Sequence, residues 1–185
     1  DVGGFVGACF KRGVSWSYFP TTLLSMCDSC IGAKSGINYR NTKNQLALFS
    51  APSQVVINQR FLSTLDPHHI QSGLGEILKL CIIGGDAFLS RYEAYVTNGV
   101  VGDDAHFKPL ILSSLCVKRA VIQVDEFELN LRKSLNYGHT LGHSIESMTE
   151  FRIAHGQAVV IGMMFVNKMS LDRGLLSHVA FERLD

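Results

Sequence analysis

The sequence predicts an α/β part followed by an all-α part, and three observations carry that reading. Up to about residue 66, short apolar runs alternate with glycine and polar breaks, the texture of strands and turns. From Asp66-Pro67 onward, apolar residues recur at helical spacing. No internal repeat points to a solenoid. The expected division is therefore residues 1–66 and 67–185.

Asp1 lies inside a helical pattern, so the natural start is expected upstream. Ser17 to Phe19 reads as a short strand ended by Pro20-Thr21-Thr22. Val55-Val56-Ile57 reads as a second, between Pro52 and Asn58. Residues 32–44, rich in Gly, Asn and Lys, read as a long polar loop, and loops of that length usually bind something. Asp66 and Pro67 suit the N-cap and first turn of a helix. Its buried face is expected to be Leu74, Ile77, Leu78, Cys81 and Ile82, with Glu76 and Lys79 on the opposite side. A second helix, about 109–124, carries the stripe Ile111, Leu115, Lys118, Ile122, with a lysine among apolar positions. A third covers about 135–148. A fourth, about 156–173, is apolar nearly all round and expected to be central, with Gly174 as its C-cap.

Apolar residues make up 46% and charged residues 18%, which supplies a core and argues against disorder. The net charge of +1 gives no basic field for nucleic acid or an anionic membrane. The longest apolar run, Val159 to Val166, is too short to span a bilayer, and no signal-peptide pattern opens the chain. Five scattered cysteines suit free thiols in a cytoplasmic protein. Cys27 and Cys30 have the spacing of a redox pair or half a zinc site. No second such pair exists and the expected neighbours are missing, so they read as core filler.

Two constellations carry chemistry. His139 and His143 are four apart and share a helical face, and His155 opens the fourth helix, where the dipole favours neutral imidazole. With Glu76 they form the donor set of catalytic zinc; the alternative is polar surface. The second set is cationic: Arg12, Lys34, Lys43, Lys79, Lys118 and Arg132. A pocket cation needs an anion, which a phosphate or carboxylate would supply, whereas solvated lysines need none.

Taken together, the sequence resembles the 3-dehydroquinate synthase family of sugar-phosphate cyclases. The matching stretches are D-x-x-G-F-V-x-A-x-x-x-R-G (1–13), P-T-T-L-L-x-x-x-D-S-x-I-G-x-K-x-G-I-N (20–38) and K-N (43–44). They continue with G-L-x-E-I-L-K (73–79), L-R-x-x-L-N-Y-G-H-T-L-G-H-x-I-E (131–146) and H-G (155–156). Family members are about twice as long. The resemblance implies the C-terminal part of a Rossmann-like NAD-binding domain, its glycine-rich loop just before Asp1, followed by a helical metal- and substrate-binding domain.

The resemblance also implies roles. Glu76, His139 and His155 would be ligands to zinc or cobalt, with His143 aimed at substrate. Asp1, Thr21, Thr22, Asp28, Lys43 and Thr64 would contact NAD. Lys34, Asn44, Lys79, Lys118, Arg132, Asn136 and His143 would hold substrate and its phosphate, and Lys79, Lys118, Arg132, Asn136 and His143 would be the catalytic set. Lys118 is expected to share a pocket with His139 and Arg132. Arg12 would reach a neighbouring subunit's phosphate site, which implies a homodimer. The implied activity is a carbocycle-forming lyase that converts a seven-carbon sugar-acid phosphate to 3-dehydroquinate in the shikimate pathway. Asn136 favours that substrate over valiolone- or deoxy-inosose-type rings. A metal-dependent polyol dehydrogenase and a non-catalytic metal- or nucleotide-binding relic are the alternatives. Departures from the family pattern are Ala33, Ala47-Leu48, His69 and Gln157.

Overall fold

The computed structural model describes residues 2–40, 42–97 and 107–184, the side chains of residues 42 and 43 excepted. Helix α1 (Val2–Cys9) lays Gly4 and Gly7 against Trp16. Strand β1 (Ser17–Tyr18) pairs in parallel with β4 (Gln54–Val55), so both expected strands form, slightly offset. After Pro20, Thr22 and Ser25 exchange backbone-to-side-chain hydrogen bonds of 3.1 and 3.2 Å. This reciprocal pairing lies at the start of the helical segment that runs into the π-helical turn Ser25–Ser29.

The expected loop over 32–44 is a hairpin instead. β2 (Lys34–Tyr39) pairs antiparallel with β3 (Thr42–Phe49), Lys34 opposite Phe49 and Tyr39 opposite Thr42. Arg40, at φ 53°, supplies the left-handed backbone of a tight hairpin turn. Gly, Asn and Lys read as loop punctuation, but the ladder bonds override their weak propensity.

The helical part is α2 (Pro67–Gly84), α3 (Asp86–Thr97), α4 (Phe107–Val124), the 3-10 turn Leu131–Asn136, α5 (His139–Met148), α6 (His155–Asp172) and α7 (His178–Leu184). Asp66 caps α2 by accepting from the His68 N–H at 2.8 Å. Three expectations are corrected. Glu76 and Lys79 are buried, because α2 is packed on several sides, by α3, α4 and α6. The expected third helix is broken by Gly138, whose φ of 77° ends the 3-10 turn and starts α5. Helix α6 buries one face only; Phe165 and Met169 on the other are exposed. α3 and α7 were not anticipated. α7 buries no residue and is held by Arg183, which donates to Glu93 at 2.9 Å and to Asp86 on α3 at 3.1 Å.

The main core joins both halves of the sequence. Leu23, Met26, Cys27 and Leu62 are buried with Ile77, Cys81, Leu110 and Ile111. The segment after Pro20 is thus anchored between α2 and α4.

Candidate active site

Three helices meet with almost no side chain between them. A Cβ on Gly75 would lie 2.4 Å from the Gly156 carbonyl oxygen, and one on Gly156 only 1.8 Å from that of Ser72. A Cβ on Gly162 would lie 2.1 Å from the Gly138 carbonyl oxygen. The Gly156 N–H donates to Ser72 Oγ at 3.0 Å. Glu76, His139 and His155 each sit next to one of these glycines, so close backbone approach brings the three side chains to one point.

There the Oε1 of Glu76 lies 3.6 Å from Nε2 of both His139 and His155. Glu76 is 1% exposed, its Oε2 accepts from Lys79 Nζ at 2.6 Å, and its Oε1 has no hydrogen-bond partner. A buried carboxylate oxygen without a donor is costly unless something else satisfies it. His143 is exposed but close by: its ligand atom and those of His139 and His155 lie within 4.8 Å of one another.

Electrostatics keep the donors ready. His139 is pushed down to about 3, first by burial and then by the Lys79 charge, so it is a neutral imidazole. Its Nδ1 meets the Tyr137 carbonyl at 3.2 Å, which needs the proton on Nδ1 and leaves the Nε2 lone pair free. Burial works against the Lys79 ammonium, but Glu76 and Asp28 outweigh it and hold its pKa above the ordinary value. One carboxylate and imidazole nitrogens around a buried, unsatisfied oxygen suit zinc or cobalt.

Beside this cluster lies a cavity of about 610 Å³ whose polar lining includes Asp28, Lys34, Asn44, Lys118, Glu128 and Arg132. Its cations are held by protein acceptors. Lys118 Nζ meets Asp28 Oδ1 at 3.0 Å and the Asp28 carbonyl at 2.6 Å. Arg132, 2% exposed, donates to the carbonyls of Gly32, at 2.9 Å, and Glu126. Lys34 pairs with Glu128, which also accepts from Asn136 Nδ2 at 2.7 Å.

The family's N-terminal domain matches residues 1–72 and its C-terminal domain residues 73–185, both described as 3-dehydroquinate synthase. The chain belongs to the 3-dehydroquinate synthase family. It is 37% identical over 185 residues to 3-dehydroquinate synthase of Streptococcus equi, covering all of this chain and 51% of that protein. It is 40% identical over 173 residues to that of Endomicrobium trichonymphae, covering 92% and 48%. The chain thus spans about half the length of these curated relatives. Among solved structures it resembles 2-epi-5-epi-valiolone synthase of Streptomyces hygroscopicus with NAD+ and Zn2+ bound: TM-score 0.82, 29% identity, 99% of this chain and 51% of that one. A 2-deoxy-scyllo-inosose synthase shares the fold, with TM-score 0.87 and 24% identity over 99% and 50%.

The remaining family-pattern residues are spread more widely. Lys118 shares its cavity with Arg132, while His139 belongs to the neighbouring histidine cluster. Thr21 and Thr22 follow the carboxyl end of β1, and Thr64 ends the 3-10 turn after β4. Arg12 is exposed at the end of the turn after α1. Asp1 and the Lys43 side chain lie outside the described residues.

Among the departures, Ala33 occupies φ 59°, backbone that glycine adopts freely. Ala47 and Leu48 line the cavity, His69 is exposed on α2, and Gln157 donates to Gln71 at 2.7 Å. Cys27 and Cys30 are buried free thiols whose Sγ atoms face backbone carbonyls. Burial pushes Cys30 up to about 11, so it is not a ready thiolate ligand. Sequence reasoning assigned no role to Glu128 or Glu146. The acidic run Asp125-Glu126-Phe127-Glu128 just before the Leu131-Arg132 motif was the available signal for the first.

Proposed function

We propose that the chain forms the metal- and substrate-binding part of a 3-dehydroquinate synthase, a lyase that turns a seven-carbon sugar-acid phosphate into a carbocycle and releases phosphate. The observation that carries the reading is the unsatisfied Glu76 Oε1, 3.6 Å from two imidazole Nε2 atoms and next to a cation-lined cavity. Glu76, His139 and His155 would hold zinc or cobalt, and Thr21, Thr22, Asp28 and Thr64 would face NAD. When bound, the nicotinamide would supply reversible oxidation of a ring alcohol and the metal a Lewis acid for its hydroxyls.

The chain's own residues do the positioning. Lys34, Asn44, Lys118 and Arg132 line the cavity and would clamp phosphate and carboxylate, fixing the geometry for β-elimination. Asn136 would join them after releasing Glu128. Lys79, held charged by Glu76, would meet a substrate oxygen at the metal edge, and His143 is placed to exchange a proton there. Residues 1–66 would end the nucleotide-binding domain, and residues 67–185 would form the helical one. The exposed Arg12 supports a homodimer with a shared phosphate site, and no described helix is long and apolar enough to cross a membrane.

Turnover of the full-length protein with the seven-carbon sugar-acid phosphate tests the reading. Phosphate release without net NADH formation is expected. Net NADH would indicate a polyol dehydrogenase, and neither product a non-catalytic relic. Phosphate release only from a sugar phosphate lacking the carboxylate would point to a valiolone- or inosose-type ring.

A further inference from the structure

We infer that Glu146 is a positioning residue for the metal site: it fixes the tautomer and ring orientation of His155 and strengthens that imidazole as a ligand. The inference rests on the metal reading above. Glu146 is 4% exposed on α5, and its Oε2 lies 3.1 Å from His155 Nδ1. It follows His139 by seven residues, two helical turns, so it shares the face that carries His139 and His143. One helix thus supplies one candidate ligand directly and orients another through Glu146.

The hydrogen-bond chemistry fixes what this contact does. An ionised carboxylate only accepts, so the contact requires the proton on Nδ1. A neutral imidazole has one N–H, so Nε2 is left as a lone pair aimed at Glu76 Oε1, 3.6 Å away. His139 reaches the same tautomer through the Tyr137 carbonyl. The two supports differ in charge: Tyr137 offers a neutral oxygen and Glu146 an anion. An anionic partner holds that tautomer more firmly and adds negative charge near a bound cation. His155 is the more exposed of the two rings, so it has less packing to hold it and depends more on this hydrogen bond.

The test uses full-length protein stripped of metal. Zn2+ and Co2+ affinities are measured by chelator competition for wild type, Glu146→Gln, Glu146→Ala and His155→Ala. The Co2+ visible spectrum and the melting of the metal-free forms are recorded alongside. Both Glu146 variants should bind at least about tenfold more weakly, with an altered Co2+ spectrum. Imidazole nitrogen NMR of the metal-free protein should show His155 protonated on Nδ1 in wild type and shifted towards Nε2 in Glu146→Ala. If Glu146→Ala does not fold, Glu146→Gln decides, since it keeps the volume. Glu146→Gln affinity within threefold of wild type overturns the assignment. So does a loss seen only with collapse of the metal-free fold. If wild type binds no metal, or His155→Ala binds as wild type does, the metal reading itself has failed rather than the role of Glu146.

Discussion

Lys118 and Asp28 illustrate what single residues contribute. In the sequence, Lys118 is a lysine in an apolar stripe, in need of an anion. The structure supplies the anion from within the protein, at 3.0 Å. Lys118→Met should therefore weaken substrate binding and also lower stability by about 2 kcal/mol, because Asp28 loses its partner. A urea melt beside steady-state kinetics checks this; an unchanged melt would show that the pair contributes nothing to folding. The pH dependence follows from the same contact. Burial raises the Asp28 carboxyl, but Lys118 and Lys79 outweigh it and hold it down to about 2, against 3.8 ordinarily. A carboxyl with a depressed folded pKa binds its proton more weakly when folded than when unfolded. Its stabilisation is full above roughly pH 4 and is lost as pH falls towards about 2, about 2 kcal/mol in total. Asp28→Asn should lack this acid-sensitive component when urea melts at pH 5 and pH 2 are compared. At Cys27 and Cys30, replacement of both by Ser should leave metal content intact and cost about 1–2 kcal/mol, as buried hydroxyls replace thiols. Loss of metal in that variant, measured by emission spectrometry, would restore the pair as ligands.

Elements were legible where a local signal agreed with the tertiary outcome. Asp66-Pro67 marked the start of α2, and the stripe in α4 held. The hairpin was hidden because its strands are rich in Gly, Asn and Lys, and only cross-strand pairing makes them strands. The burial of Glu76 was hidden for a related reason. Periodicity locates one face of a helix, whereas α2 is packed on several sides by later elements. The junction of α2, α5 and α6 gives a prediction at this scale. Gly156→Ala should separate α2 from α6, lower stability by about 3 kcal/mol or more, and abolish metal binding. Gly3→Ala, with open space at its Cβ, is the control and should melt as wild type or slightly higher. Calorimetry with a metal titration distinguishes them, and a Gly156→Ala protein that binds metal normally would show the junction to be slack.

For the molecule as a whole, order along the chain carried the most information. No single motif was specific, yet six short motifs in the right sequence pointed to the family, which matches residues 1–72 and 73–185. Charge pairing inside the cavity was not legible, because Glu128 reaches Lys34 across 94 residues. Metal removal should be felt globally. A ligand at about a hundredfold above its Kd stabilises the native state by about 2.7 kcal/mol. The full-length protein should therefore melt lower after chelation and recover with Zn2+, and a His139→Ala, His155→Ala double variant should not respond. A wild-type melt indifferent to metal would count against the site.

Glycine beside each of Glu76, His139 and His155 leaves the three helices no room to slide, so the candidate metal end is an anvil. The opposite wall is built differently. The hairpin bearing Lys34, Ala47 and Leu48 meets the helical side through Lys34 on Glu128 and Phe49 on Phe127, contacts made by side chains alone. Side chains can be exchanged without moving a helix. On the proposed reading, new substrate preferences would be reached by redrawing the hairpin while the candidate metal ligands stay where they are.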